Sequence, residues 1–382
     1  MLYNWYIRLE FLLCGLIVLG TIFEQTKLVS LIFSLTFICL LITWFYDIYR
    51  TQKLNLLLLT IILLAIINVF INAGYTSLEL VAFSQYSKKL IIFITTVFSF
   101  YIATVFIPTK QTRRWLAWLP VGMGSLFIIS YYFLGNTITM AKGITLGFTN
   151  PNFTAVWLMH LLLYGVYNFF ATHKLWLRIL CLGYCIIMTN LMFLTLSRAC
   201  MGGVVAFGIL LVWGLLKPSY KLSPVIIWSV LLFPIVFALV YMSITHYLMY
   251  TSDFDMIVSE GKSIISRVGI WTKALDSFKH SWWTGDYAGI SEGLGMSQMH
   301  NTHIDILASY GIVPFILFIM ILWNILKKIN NQLNSLPAYV ALISFLSIFL
   351  TGTFEAGLVA GCTGLNFLTS GFLLLANTGD TQ

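Results

Sequence analysis

The sequence predicts an all-α polytopic membrane protein of about twelve transmembrane helices with one large extracytoplasmic loop. Three observations carry that prediction. Hydrophobic residues make up 59% of the 382 and charged residues only 9%, whereas a soluble domain carries about a quarter charged. Apolar runs of roughly 20 residues, the length that crosses a bilayer core, recur along the chain. Aromatic residues reach 16%, with 12 Trp and 19 Tyr, which suits interfacial belts as well as apolar packing. No polar stretch is long enough for a soluble domain, so residues 1–382 read as a single integral membrane domain.

Taken in order, the predicted spans are 9–24, 28–47, 54–73, 89–108, 115–135, 153–172, 177–196, 200–216, 224–245, 303–326, 336–354 and 356–377. The first is followed by no small-residue cleavage site and reads as a retained span. Segment 76–87 is short and polar enough for an interfacial or re-entrant helix. With the N-terminus in the cytoplasm, twelve Lys and Arg side chains fall in inner loops and five (Lys27, Lys88, Lys89, Lys142, Arg198) in short outer loops. That bias directs the long loop 246–302 outward. The net charge of +8 is scattered over many short loops, which favours a lipid bilayer over nucleic acid as partner. The six cysteines lie in or beside apolar segments without a CxxC pair, so they read as small buried residues.

Within the long loop, Ile264, Val268, Trp271, Leu275 and Phe278 recur at helical spacing and predict an amphipathic helix that lies on the membrane or caps a cavity. Gly285, Gly289, Gly293 and Gly295 then predict a flexible stretch leading to His300-Asn301-Thr302-His303-Ile304-Asp305. Imidazole is the side chain whose protonation shifts most easily near neutral pH, so His300 is a candidate general base. The competing reading makes His300 a solvated cap residue and Asn301 or Thr302 the helix cap. His303 is a second-tier candidate, with a structural role as its alternative. Asp305 sits in the first turn, where the helix dipole favours a carboxylate.

Two arginines stand out. Arg198 follows Ser197 at the outer end of an apolar helix, where a guanidinium must find an anion, snorkel to water, or pair with a carboxylate such as Glu355. Arg267 shares a predicted helix face with Glu260, so an internal ion pair competes with phosphate binding. Guanidinium forks match phosphate oxygens bidentately, so two outward arginines suit a diphosphate. Asn150 and Asn152 flank Pro151 before span six, where they cap the following helix or bind sugar hydroxyls. His160 reads as a hydrogen-bonded packing residue. No metal-ligand spacing, P-loop or serine nucleophile elbow is evident, and no cofactor is expected.

Asn150-Pro151-Asn152 before a span, Ser197-Arg198 ending another, Ser266-Arg267 with Trp271 in the outer loop, and His300-Asn301 nine residues before Gly311 together resemble the O-antigen polymerase and ligase superfamily. The likeness covers about half the chain, roughly 145–330. It implies an architecture like membrane-embedded polyprenyl-dependent (GT-C-like) glycosyltransferases in the bacterial inner membrane, with the site facing the periplasm or exterior. It implies that Arg198 and Arg267 hold the pyrophosphate of an undecaprenyl-linked glycan donor. His300 would then deprotonate a hydroxyl of a lipid-linked glycan acceptor, with Asn301, His303, Asn150 and Asn152 as secondary contacts. A chain-length regulator is a further candidate partner. The Asn150-Pro151-Asn152 element looks more like the polymerases. The ligase pattern usually places a second glycine where Pro314 stands, which also leans toward polymerase.

The chemistry agrees with that class. A sugar bonded to pyrophosphate already has a leaving group, so transfer needs stabilised phosphate charge and a base for the attacking hydroxyl. Attack opposite the pyrophosphate inverts the anomeric centre. The alternatives are a ligase acting on lipid A core and a lipid-linked sugar flippase or other transporter. A transporter needs charged groups at mid-membrane, and the predicted spans are nearly charge-free.

Overall fold

The computed structural model describes residues 2–22, 35, 38–39, 41–46, 48–50, 56–75, 80–135, 139–140, 143–148, 150–217, 219–250, 265–286, 299–355 and 365–377. Helices dominate: α1 (Leu2–Ile22), α2 (Leu56–Tyr75), α3 (Leu80–Val105), α4 (Lys110–Tyr132), α5 (Pro151–Ala171), α6 (Leu175–Leu194), α7 (Arg198–Leu216), α8 (Pro224–Tyr250), α9 (Ile265–His280), α10 (Thr302–Tyr310), α11 (Ile312–Asn331), α12 (Leu336–Thr351) and α13 (Leu365–Ala376). A two-stranded antiparallel hairpin, β1 (Thr139–Met140) and β2 (Gly143–Ile144), joins α4 to α5. Among the described residues six helices (α4 to α8 and α11) are long and apolar enough to cross a membrane, and the chain is a multi-pass, all-α membrane protein.

Burial sorts the helices into layers. α5, α12 and α13 are buried along most of their length and form the centre. α6 and α7 leave whole apolar faces uncovered, for instance Ile179, Leu182 and Ile186, or Val205, Ile209 and Val212. Such faces are soluble only in lipid. The centre packs through small residues. Gly203 of α7 brings its backbone against Thr351 and Met159, and Gly214 brings the same helix against the Tyr339 ring. A Cβ at either position would overlap those side chains.

Polar contacts mark the two ends of the bundle. At one end Arg8 donates to Thr112 and Gln111, Asn377 donates to the carbonyl of Ala103, and Asn330 donates to the carbonyl of Leu222. Lys110, Arg113, Arg114, Lys217, Lys221, Lys327 and Lys328, all expected on the inner side, stand at this end. The hairpin, the start of α7 and the start of α10 lie at the other end.

Two expected elements are drawn differently. The predicted span 303–326 is two helices, α10 and α11, broken at Gly311. Gly311 has φ +86°, and a Cβ there would collide with the backbone oxygen of Trp283, so the apolar run bends where the neighbouring loop crosses it. The predicted interfacial piece 76–87 does not stand alone, because residues 80–87 begin the continuous helix α3; residues 76–79 lie outside the described residues.

Candidate active site

The amphipathic helix of the long loop forms as α9, and its buried stripe runs through Val268, Ile270, Trp271 and Ala274. That stripe is rotated from the predicted one, with Leu275 and Phe278 only partly buried and Ile264 outside the described residues. The helix docks on protein: Trp271, Ile270 and Ala274 pack against Ala238 of α8, Ile304 and Ala308 of α10, and Met299. The Trp271 indole N–H donates to the Met299 carbonyl at 2.8 Å, which fixes the residue immediately before His300. Gly285 belongs to a pinned turn, not a flexible stretch. Its N–H donates to Ser281 at 2.7 Å, and the next N–H, of Asp286, donates to the Ala308 carbonyl at 2.7 Å. Gly289, Gly293 and Gly295 lie outside the described residues.

Asn301 is the N-cap of α10. Its side-chain oxygen accepts the N–H groups of His303 and Ile304, and its amide nitrogen donates to the carbonyls of Pro234 and Thr353 at 3.0 Å each. One buried side chain thus ties together α8, α10 and the turn after α12. The Thr302 N–H donates to the Gly352 carbonyl at 2.8 Å, closing the same junction. His303 points inward, donating from Nε2 to the Leu231 carbonyl at 2.6 Å between the rings of Phe315 and Phe349. Asp305 forms an ion pair with Lys89 of α3 at 2.6 Å, with both side chains buried.

His300 is different. It sits just outside the cap with φ +49°, an unusual conformation for a side-chain-bearing residue. Its imidazole keeps 18% exposure, and Nδ1 faces the Glu355 carboxylate at 3.3 Å. The other Glu355 oxygen accepts from the Arg267 guanidinium at 2.7 Å. Arg267 also lies 5.8 Å from the Phe354 ring. Two elements of the long loop and the end of α12 therefore converge on one carboxylate. A carboxylate only accepts, so the facing Nδ1 carries the proton and Nε2 is left as the basic nitrogen. Glu355, one of the alternatives the sequence offered Arg198, pairs instead with Arg267; Glu260, the alternative partner of Arg267, lies outside the described residues.

Arg198 opens α7 at the same end of the bundle. Cys200, one residue past Ala199, is within electrostatic range of Glu355, and α7 lies along the helix that ends beside Glu355. Arg198 is exposed, with no ion pair or hydrogen bond among the described residues. A cation in a helix's first turn opposes the helix dipole, so nothing structural recommends it there. Asn150 caps α5 by accepting the Asn152 N–H at 2.9 Å, and both asparagines retain some exposure. Their loop reaches this end too, since Gly143 lies against both Pro151 and Thr195. The sequence offers Glu355 as a partner for Arg198 and Lys89 as a loop charge; the ion pairs each makes join distant segments. The available signal was a lone carboxylate closing a long apolar run.

The O-antigen ligase family model matches residues 183–319. Over this segment the chain is similar to the O-antigen polymerase and ligase superfamily. The matched segment holds Arg198, Arg267, His300, Asn301 and His303, and leaves out Asn150, Asn152 and Glu355. The match supports glycosyl transfer of the O-antigen ligase or polymerase type. No curated protein and no solved structure matches the chain.

Proposed function

We propose that the protein is a glycan polymerase that moves an undecaprenyl-pyrophosphate-linked oligosaccharide onto a hydroxyl of another lipid-linked repeat unit at the outer face of the bacterial plasma membrane. The observation that carries this reading is the Arg267–Glu355–His300 arrangement. Glu355 orients His300 so that Nε2 takes the proton from the acceptor hydroxyl as that oxygen attacks the sugar C1. The C1–O bond to pyrophosphate breaks on the opposite face and the anomeric centre inverts. Arg198, cationic and without a carboxylate partner among the described residues, supplies charge for the leaving diphosphate. Arg267 spends one contact on Glu355 and keeps guanidinium donors for a phosphate oxygen.

Arg267 and His300 share one carboxylate, so donor binding is coupled to the base. A diphosphate that draws Arg267 toward itself leaves more of the Glu355 charge to His300, which strengthens the base once donor is present. Asn301, His303 and the capped Asn150–Asn152 loop act by holding this geometry.

The test is polymer formation from purified lipid-linked repeat units by the full-length protein. His300→Ala is expected to abolish polymer while leaving expression and folding intact; near-normal polymer length in that variant would count against the assignment. Offering lipid A core as acceptor separates ligase from polymerase, because only a ligase gives product with it.

A further inference from the structure

Helix α1 carries a buried acidic side chain that no cationic side chain among the described residues meets. Glu10 is 2% exposed, and neither carboxylate oxygen has a hydrogen-bond partner among the described residues. Tyr6, one turn earlier, is also buried, and its hydroxyl is directed at the Glu10 carboxylate as a hydrogen-bonding neighbour, short of the geometry of a formed bond. Both line one cavity of about 20 Å³ between α1, α3 and α13, together with Ser99 and Ser370. Those serines donate their protons to the Thr95 and Phe367 carbonyls, at 2.7 and 2.9 Å, which leaves oxygen lone pairs uncommitted. No Lys, Arg or His among the described residues pairs with Glu10.

A lone carboxylate in an apolar bundle is costly unless a positive charge meets it. The cavity holds one water-sized body, which excludes an organic amine. Its donors are hard oxygens with a single negative charge between them, which suits a monovalent ion; a divalent ion prefers six or more oxygens and more charge. We propose that Glu10, Tyr6, Ser99 and Ser370 bind one dehydrated alkali cation of about sodium's size, at a site separate from the His300 end of the bundle.

The test uses full-length protein in detergent, with NaCl titrated against N-methylglucamine chloride at constant ionic strength. Wild type is expected to gain about 3 °C in melting temperature with sodium and to bind one radioactive sodium ion per chain. Glu10→Gln, which keeps the shape and removes the charge, is expected to lose both responses. Ser99→Ala removes one oxygen and is expected to raise the sodium midpoint about tenfold, roughly 1.4 kcal/mol of binding. Absence of sodium binding in wild type, equal binding in Glu10→Gln, or an unmoved midpoint in Ser99→Ala would overturn the proposal in favour of a neutral carboxylic acid beside trapped water.

Discussion

Lys89 and Asp305 form an ion pair 2.6 Å long with both side chains buried, although 216 residues separate them in the chain. The pair clamps the helix carrying the His300-Asn301 turn to α3. Removing one partner strands the other charge, at about 3–5 kcal/mol for a buried pair. Lys89→Met and Asp305→Leu are each expected to lower the melting temperature strongly, and the double variant to recover much of the loss. A double variant no better than the worse single one would argue that the pair does not act as a unit.

Glu355 is expected to matter for rate more than for folding. Glu355→Gln keeps a hydrogen-bond acceptor for Arg267 but removes the charge that orients and strengthens His300. Turnover should fall by about 10–100-fold, less than the roughly 10²–10⁴-fold expected for His300→Ala. Single-turnover rates with saturating donor and acceptor check the order of the two.

The two arginines should part company on stability. Arg198→Ala disturbs no partner among the described residues, so its melting temperature should match wild type while the KM for donor rises. Arg267→Ala uncovers a largely buried carboxylate and should lose both stability and donor affinity. Arg198→Lys should only partly rescue, because an ammonium lacks the planar fork. Thermal melts beside donor titrations of the same preparations decide this.

Gly311→Ala is expected to destabilise by about 1–3 kcal/mol. The position has φ +86°, and the added methyl meets the Trp283 backbone, which has no side-chain freedom with which to retreat. The yield of monodisperse protein is the readout, with Gly269→Ala, which faces open space, as the control.

Much of this was legible in the sequence where periodicity or local chemistry carries it. The stripe around Trp271 announced α9, Asn301 announced a cap, and His160 announced a packing residue, now seen bonded to Val156 and Thr369. The break at Gly311 was hidden because Gly-Ile-Val-Pro continues an apolar run, and only the crossing loop at Trp283 forces the bend. The partners of Glu355 and Lys89 were hidden for a different reason: all three contacts join segments 55 or more residues apart, and spacing along the chain says nothing about them. Glu10 leaves no trace in the pattern, because one carboxylate barely changes the hydropathy of an otherwise apolar helix.

All nine residues of α10 are buried, so the turn that presents His300 is mounted on an element with neither a lipid face nor a water face. Variation there is confined to what neighbouring helices tolerate. Altering what the site accepts therefore has to draw on the open rim, where Arg198 and Asn150 stand, because the enclosing helices leave the mount no room for change.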